Sequence, residues 1–486
     1  MNLTRRRLLK PAAAAGATVV LGGCTSTAAE TTRPVYAPSE PVRLGFIGLH
    51  GRGNDLLKSF RQVPLAQVSA LCDVDPQVLA TRMGEAKAHG ESPMPFADPR
   101  RLFDSADIDA VVIATPNHLH AVLASWAAQA GKDVYVEKPV CHDVREGQLL
   151  LAVADRTRRI IQAGTQNRSD IGLRAAFAAL HAGEFGAVSA VRGFCFRDRA
   201  SIGRLPMPLV PPAGLDYNLW LGPAADEPIM RKQFHYDWHW VWNTGNGDIG
   251  NQGPHELDLA CWALGDPGLP ESVLGLGGRF AWDDAGETAN AMAAWYLFPG
   301  GIPLSFEVRN LAPKDKAAGA YHGIAEAAIV VECADGELHA HRGGATFIDH
   351  AGKIARTFAG DAGATHQENF ITAVRQRQST LLHAPLAHAV PSADLAHLAN
   401  ASMRIGVPGD AQAALAAARG HRELGEHVER LLGILEGYQI DLAKTPMHIG
   451  PVLSIDRSTG LCTGAEAGRA NALLQRQPRP GWEIVV

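Results

Sequence analysis

Between residues 42 and 157 the chain alternates short apolar runs with helix-forming stretches, and this alternation constrains the fold more than any other feature. Residues 42–48 read as a strand that ends in a glycine-rich turn, with a helix over 54–62 behind it. A second strand spans 67–72 and stops at Asp73; Asp75-Pro76 then opens a helix, with proline at its first turn. The runs 110–114 and 133–136 are short and mostly apolar, as strands buried on both faces are, and helices are expected over 121–130 and 143–157. Strands that take turns with helices build a parallel sheet with right-handed crossovers.

Beyond Gly164 the pattern changes. Longer runs at 187–197, 272–282, 289–298, 302–309 and 325–333 follow one another with few helices between them, which predicts a large, mostly antiparallel open sheet. Late helices are expected over 366–378, 391–404 and 410–436. The domain reading is an α/β unit over 41–164, a second α/β domain over 165–436 and a C-terminal extension over 437–486.

The turn after the first strand is Gly48-Leu49-His50-Gly51-Arg52-Gly53. A dinucleotide fingerprint puts glycine at the positions of 48, 50 and 53, the middle one so that backbone can approach the pyrophosphate. Here that position is His50, and Gly51 next to it supplies the freedom. Asp73 ends the second strand about where an acid hydrogen-bonds the adenine ribose, so NAD is favoured over NADP; the alternative is a plain turn aspartate.

Lys138 follows the buried strand 133–136 in Val136-Glu137-Lys138-Pro139. Desolvation and a nearby cation at such a place disfavour an ammonium ion. Downstream, Gly247-Asp248-Ile249-Gly250-Asn251 leads to His255 on the first turn of a helix, where it can share proton transfer with the lysine. A lysine and a histidine of this kind behind a dinucleotide-type unit argue for hydride chemistry on a sugar-like alcohol. Aromatics cluster at Phe234-His235-Tyr236-Asp237-Trp238-His239-Trp240-Val241-Trp242, fit either to face a sugar ring or to pack on a core. Arg197 and Arg199 are open to a substrate or to solvent, and His366 to capping or packing.

These residues resemble the glucose–fructose oxidoreductase and inositol dehydrogenase family (Gfo/Idh/MocA) over roughly 42–480. The likeness rests on the glycine turn, Thr115-Pro116-Asn117-x-x-His120, Glu137-Lys138-Pro139 and the stretch from Gly247 to Asp258. It implies an N-terminal Rossmann dinucleotide-binding domain and a C-terminal α/β domain whose open sheet serves homo-oligomer formation, as a dimer or tetramer. Carried over by position, Gly48, Gly51, Arg52, Gly53 and Asp73 hold the adenosine half of the cofactor. Thr115, Asn117 and His120 line its middle, while Glu137, Lys138 and Gln166 approach the nicotinamide end. Lys138 matches the family's catalytic lysine and His255 its catalytic histidine; Arg168, Tyr236, Trp238 and Asp258 are candidate substrate contacts. Many dehydrogenases of the family carry aspartate where this chain has Asn251. An amide can hold a hydroxyl but cannot support a charged proton relay, which leaves Lys138 as the better general base.

The N-terminus reads as an address. Thr4-Arg5-Arg6-Arg7-Leu8-Leu9-Lys10 resembles a twin-arginine export signal, and the weakly apolar stretch to Gly23 is too short for a permanent span. Leu21-Gly22-Gly23-Cys24 resembles a lipoprotein cleavage site, with acylated Cys24 as a membrane tether; the alternative is an ordinary signal peptide. Residues 25–40 would be a linker, and the location periplasmic. Export of an already folded chain suits a cofactor-bearing enzyme. A formal charge of −5 without a basic run argues against nucleic acid. The 20 histidines show no His-x-x-x-His pair with a matching carboxylate, so no metal is expected, and the six cysteines after Cys24 read as packed thiols, with a disulfide open in that compartment.

The expected activity is an NAD-dependent oxidation of a sugar, sugar derivative or cyclitol with a tightly held cofactor, because no free dinucleotide pool recycles it outside the cytoplasm. Two alternatives stand beside it. One is an NAD-dependent glycosidase that oxidises C3 transiently and eliminates; the other is a lipoprotein that only binds carbohydrate.

Overall fold

In the computed structural model, residues 36–313 and 319–486 are described. The export signal, Cys24 and most of the linker lie outside them. Six strands form the first sheet: β1 (Val42–Ile47), β2 (Ala66–Cys72), β3 (Met94–Phe96), β4 (Ala110–Ile113), β5 (Asp133–Val136) and β6 (Ile161–Ala163), in the order β3-β2-β1-β4-β5-β6 and all parallel. The crossovers are α1 (Gly51–Phe60), α2 (Pro76–Ala88), α3 (Pro99–Phe103), α4 (His120–Gln129) and α5 (Val144–Thr157). Order reverses between β1 and β4, and a crevice opens there at the carboxyl ends of the strands. Every residue of β4 and β5 is buried, which is why both runs read as continuous rather than alternating.

After α6 (Ile171–His181) the second sheet begins with β7 (Val188–Phe196). A long excursion then carries α7 (Tyr217–Leu221), α8 (Gly247–Asn251) and α9 (Gly253–Ala263). The sheet continues through β8 (Ser272–Gly278), β9 (Ala291–Phe298), β10 (Ile302–Arg309), β11 (Ala327–Cys333), β12 (Gly336–His341), β13 (Gly344–Asp349) and β14 (Ile354–Ala359). All its pairs are antiparallel except β10 with β7.

Period-two alternation divides β9 between two cores. Met292, Ala294, Tyr296 and Phe298 join the core under α9, whereas Ala291, Ala293 and Trp295 join a second core on the other face. That second core contains Leu424, Val428, Leu431 and Leu435, from a later helix over Arg422–Gly437. Each such leucine contributes about 1.5–3 kcal/mol when fully buried.

The remaining elements are α10 (His366–Gln376), α11 (Leu386–Arg404), β15 (Val407–Gly409), α12 (Ala411–Ala417), α13 (Arg422–Gly437), β16 (Met447–Ile449), β17 (Leu453–Asp456), β18 (Leu461–Thr463) and α14 (Ala467–Asn471). Two helix expectations need correction. The stretch 410–436 is two helices, broken at Gly420, whose φ of +90° no helix accepts. Helix α11 begins at Leu386 and runs through Pro391, because burial of Leu386, Ala389 and Val390 outweighs the one backbone bond that proline forfeits.

The last fifty residues do not stand apart. β16 and β17 pair with β8 in the second sheet. Trp482 stacks on Trp126 of α4 with ring centroids 5.1 Å apart, and Arg476 binds Glu146 of α5 and the His118 carbonyl. All six described cysteines are buried and unpaired. Among the described residues no helix is long and apolar enough to cross a membrane.

Candidate active site

A cleft of about 400 Å³ occupies the switch-point crevice. The first half lines it with Gly48, His50, Gly51, Arg52, Asp73, Thr115, Asn117, His120, Glu137, Lys138 and Gln166; the second half contributes Tyr236, Trp238, His239, Asn251, His255 and Arg342.

The glycine turn is shaped by close approach. Gly48 has φ +81°, and a side chain there would meet the Ala114 carbonyl at 2.8 Å. A Cβ on Gly53 would stand 1.8 Å from the Gly48 oxygen, so this glycine lets α1 pack on β1 rather than lining the cleft. Gly53→Ala is expected to destabilise the fold by about 1–3 kcal/mol through overpacking, read as a lower urea midpoint. Space beside Gly51 is open. His50 turns outward to stack on His235 at 4.9 Å and 14°, and His235 in turn contacts Asp75 at 3.0 Å. The two histidines thereby join the glycine turn to the aromatic excursion of the second half.

Asp73 accepts from the backbone N–H groups of Leu49 (2.8 Å) and Asp75 (2.9 Å), which fixes its carboxylate beside the turn. Burial pushes this carboxyl up, and the two N–H donors oppose the shift. Asn117 donates to Asn246 at 3.2 Å, and the His120 ring nitrogens lie 2.7 Å from the Pro139 carbonyl and 2.8 Å from the Thr115 carbonyl. Both residues therefore brace loops as well as lining the cleft.

Arg52 lines the cleft with its guanidinium on the Lys138 side. Its Nε donates to Glu137 at 2.8 Å, in a pair whose carboxylate is 3% exposed. The guanidinium thus stands beside Lys138, because a buried Glu137 needs a partner.

Lys138 Nζ donates to the Asn251 carbonyl at 2.6 Å and lies 3.4 Å from its Oδ1. Asn251 Nδ2 donates to Asp248, a fully buried carboxylate that also receives Arg199 at 3.2 Å and Asn310 at 2.5 Å. The carboxylate absent at 251 is therefore present one step behind the amide. Burial lowers the Lys138 pKa, Glu137 opposes this and Arg52 adds to it. Burial and the Lys138 charge hold His255 well below the usual imidazole range, so its ring is neutral at pH 7; its Nδ1 has no hydrogen-bond partner among the described residues.

Tyr236 and Trp238 do line the cleft, with Trp238 stacked on His239 at 3.6 Å and Tyr236 receiving Arg199 at 3.0 Å. Trp240 instead packs in a small core under Arg199. Arg197 is paired with Glu326 at 2.8 Å, and His366 is a packed residue that holds Ala163 and Ser169.

Arg168 and Asp258 are not brought to the cleft. They pair with each other at 2.8 Å, 3% and 0% exposed, and Arg168 also binds Asp266 at 2.6 Å. Their charges are spent on each other, so the expectation of substrate contact is overturned for both. Sequence reasoning in turn missed Arg342, at the β12–β13 turn, and Glu256. Arg342 and Glu256 line a second cavity with Gln166 and His255. Burial pushes the Glu256 carboxyl up to about 8, and its Oε2 has no partner among the described residues. Only its place beside His255 could have drawn notice to it.

Comparison with known proteins places this geometry. Residues 42–165 match the model of an oxidoreductase family with an NAD-binding Rossmann fold, and 224–339 match the GFO/IDH/MocA C-terminal domain. A glycosyl hydrolase family 109 protein of Shewanella pealeana is 31% identical over 175 residues, which are 33% of this chain and 38% of that protein. An oxidoreductase of Rhizobium meliloti is 35% identical over 31% of this chain and 45% of its own length. The chain thus aligns with less than half the length of these curated relatives. Among solved structures, the WlbA dehydrogenase of Bordetella pertussis in complex with NADH and UDP-GlcNAcA superimposes with a TM-score of 0.54 at 21% identity, covering 73% of this chain and 94% of that one. The apo scyllo-inositol dehydrogenase of Lactobacillus casei gives 0.52 at 19% identity, over 74% and 95%. Sheet order, glycine turn, Glu-Lys-Pro loop and both domain models agree: the chain belongs to the Gfo/Idh/MocA oxidoreductase family.

Proposed function

We propose that this chain is an NAD-dependent oxidoreductase that acts on a sugar, sugar derivative or cyclitol by hydride transfer and keeps its cofactor bound. The observation that carries the reading is Lys138, a desolvated amine held at the cleft by Asn251 and beside Glu137.

The residues fit a dinucleotide. Open space at Gly51 and the N–H groups of Gly51 and Arg52, the first two of α1, suit a pyrophosphate. Thr115 Oγ1 and Gln166 Oε1, both buried without partners among the described residues, suit its polar edges. Bound there, the nicotinamide supplies the hydride acceptor. The chain's own work is to orient the alcohol and take its proton. As a neutral amine, Lys138 gives one N–H to the Asn251 carbonyl and keeps a lone pair for the hydroxyl proton; neutral His255 and the Trp238 and Tyr236 rings hold the carbon in place. The His50–His235 stack across the cleft supports slow cofactor exchange. Mass spectrometry of the native protein tests this, with retained NAD expected and an empty, non-binding cleft counting against it.

Asp73 supports NAD over NADP, since a fixed carboxylate repels a 2′-phosphate. NADH is expected to bind at least about tenfold more tightly than NADPH, equivalent to about 1.4 kcal/mol, and Asp73→Ser to narrow the gap; tighter NADPH binding by the parent chain would reject the assignment. We also infer export through the twin-arginine segment, acylation at Cys24 and homo-oligomer assembly; fractionation, mass spectrometry and sedimentation test them.

A redox-neutral glycosidase is the second reading. Glycosyl hydrolase family 109 relatives support it, as does Glu256, a carboxyl poised beside His255 to give up a proton. Release of nitrophenol from a nitrophenyl glycoside, with solvent deuterium entering at C2, selects this reading; net NADH formation without either selects the first.

A further inference from the structure

Behind the Lys138 loop, three residues with metal-binding chemistry meet in the interior. Cys141 leads into α5, and Asp394 and His397 stand at i and i+3 on one face of α11. Their ligand atoms all lie within 4.8 Å of one another, and the three residues are 0%, 2% and 5% exposed. We propose that Cys141, Asp394 and His397 form a binding site for a divalent metal ion of zinc type, which ties the Lys138 loop to α11.

The distances fit. With Zn–S about 2.3 Å and Zn–N about 2.0 Å, the S···N edge of a tetrahedron is about 3.5 Å; Cys141 Sγ and His397 Nε2 stand 3.7 Å apart. Thiolate, imidazole and carboxylate together select zinc over magnesium or calcium, which prefer oxygen alone. The carboxylate offers one or both oxygens to complete the set. Room for the ion depends on Gly147 of α5: a Cβ there would stand 3.1 Å from Cys141 Sγ and 3.6 Å from Asp394 Oδ1.

The competing arrangement is a hydrogen bond from His397 Nε2 to the Cys141 carbonyl, 3.2 Å away. That bond leaves Asp394 Oδ1 buried with no partner among the described residues, which costs free energy. A cation removes this cost and accounts for all three groups at once. Burial also holds the His397 imidazole down at about 4, so the ring is neutral and free to coordinate, and pushes the Asp394 carboxyl well up, a shift a bound dication reverses. The lack of a His-x-x-x-His pair with a matching carboxylate pointed away from metal; here two ligands share a helix and the third lies 256 residues before His397.

Metal analysis of the purified full-length chain, produced with zinc in the medium and with Cys24 exchanged for serine, tests the proposal without reference to activity. About one zinc per chain is expected, and less than about half an equivalent overturns the site. Replacing zinc with cobalt should give a thiolate-to-metal charge-transfer band, because among the described residues no other cysteine joins a metal-sized cluster. Cys141→Ser should lose both the band and the zinc; full zinc retention by that variant overturns the assignment. Should the serine variant fail to fold, the cobalt spectrum of the parent decides, its band supporting the site and the lack of one rejecting it.

Discussion

Exchanging Lys138 for methionine is expected to lower turnover by about 10²–10⁴-fold, the usual contribution of a positioned acid or base, while leaving cofactor binding within a few-fold of the parent. Methionine keeps the side chain's length and its apolar stem, so the Glu137–Arg52 pair and the walls of the cleft survive. Only the Nζ lone pair and its bond to Asn251 disappear. The pH profile carries the sharper test. Burial and Arg52 depress the Lys138 pKa below the 10.5 of a free lysine, so the neutral, proton-accepting form grows as pH rises through a midpoint under that value. The rate of alcohol oxidation should climb along that limb and then level off. Burial holds the His255 pKa well below the usual imidazole range, so it adds no limb of its own on the alkaline side. In the methionine variant the climbing limb should vanish. A parent profile that rises only around 10.5 or above would mean that the amine at 138 is an ordinary solvated lysine, and the proposed role would fail with it.

What could be read from the sequence, and what could not, divides along a physical line. In the first sheet β1, β2, β4 and β5 were legible, β4 and β5 because burial on both faces writes a continuous apolar run. In the second β7 to β11 were legible through period-two alternation, as in β9; β3, β6 and β12 to β18 were not read. Lys138, Asn251, His255 and Gln166 were legible as a set through the family likeness, and the fold brings all four to one cleft. Partnership was not legible. That Arg52 turns to Glu137 and that Arg342 borders the site depend on contacts between segments far apart in sequence, while the Asn251–Asp248 contact and the place of Glu256 depend on how side chains of one helical stretch are oriented. The helix boundaries at Leu386 and Gly420 failed for related reasons: tertiary burial kept a proline inside one helix, and a left-handed glycine split another.

Arg168 shows the same limit with a large energy attached. Arg168→Met is expected to destabilise the fold by about 3–5 kcal/mol, because removing one member of a buried ion pair leaves the other charge without compensation. Asp258 is wholly inaccessible and keeps only the Ser392 hydroxyl at 3.2 Å, while Asp266 loses its 2.6 Å contact. The damage should depend on pH in a stated direction. Burial already raises the Asp258 pKa, and Arg168 is its main opposing influence; without the guanidinium the folded-state value rises further above the unfolded one. A carboxyl with a raised folded-state pKa binds more protons in the native state, so its contribution to stability is present at low pH and fades as pH rises through the raised value. The variant's deficit, measured by urea unfolding, should therefore be smaller in mild acid than at neutral pH. Arg168→Lys should recover little, since a point charge cannot replace a guanidinium shared between two carboxylates. A substrate contact predicts the reverse pattern: unchanged unfolding and a raised KM. Normal stability with weakened substrate binding would return Arg168 to the active site and overturn the structural role assigned here.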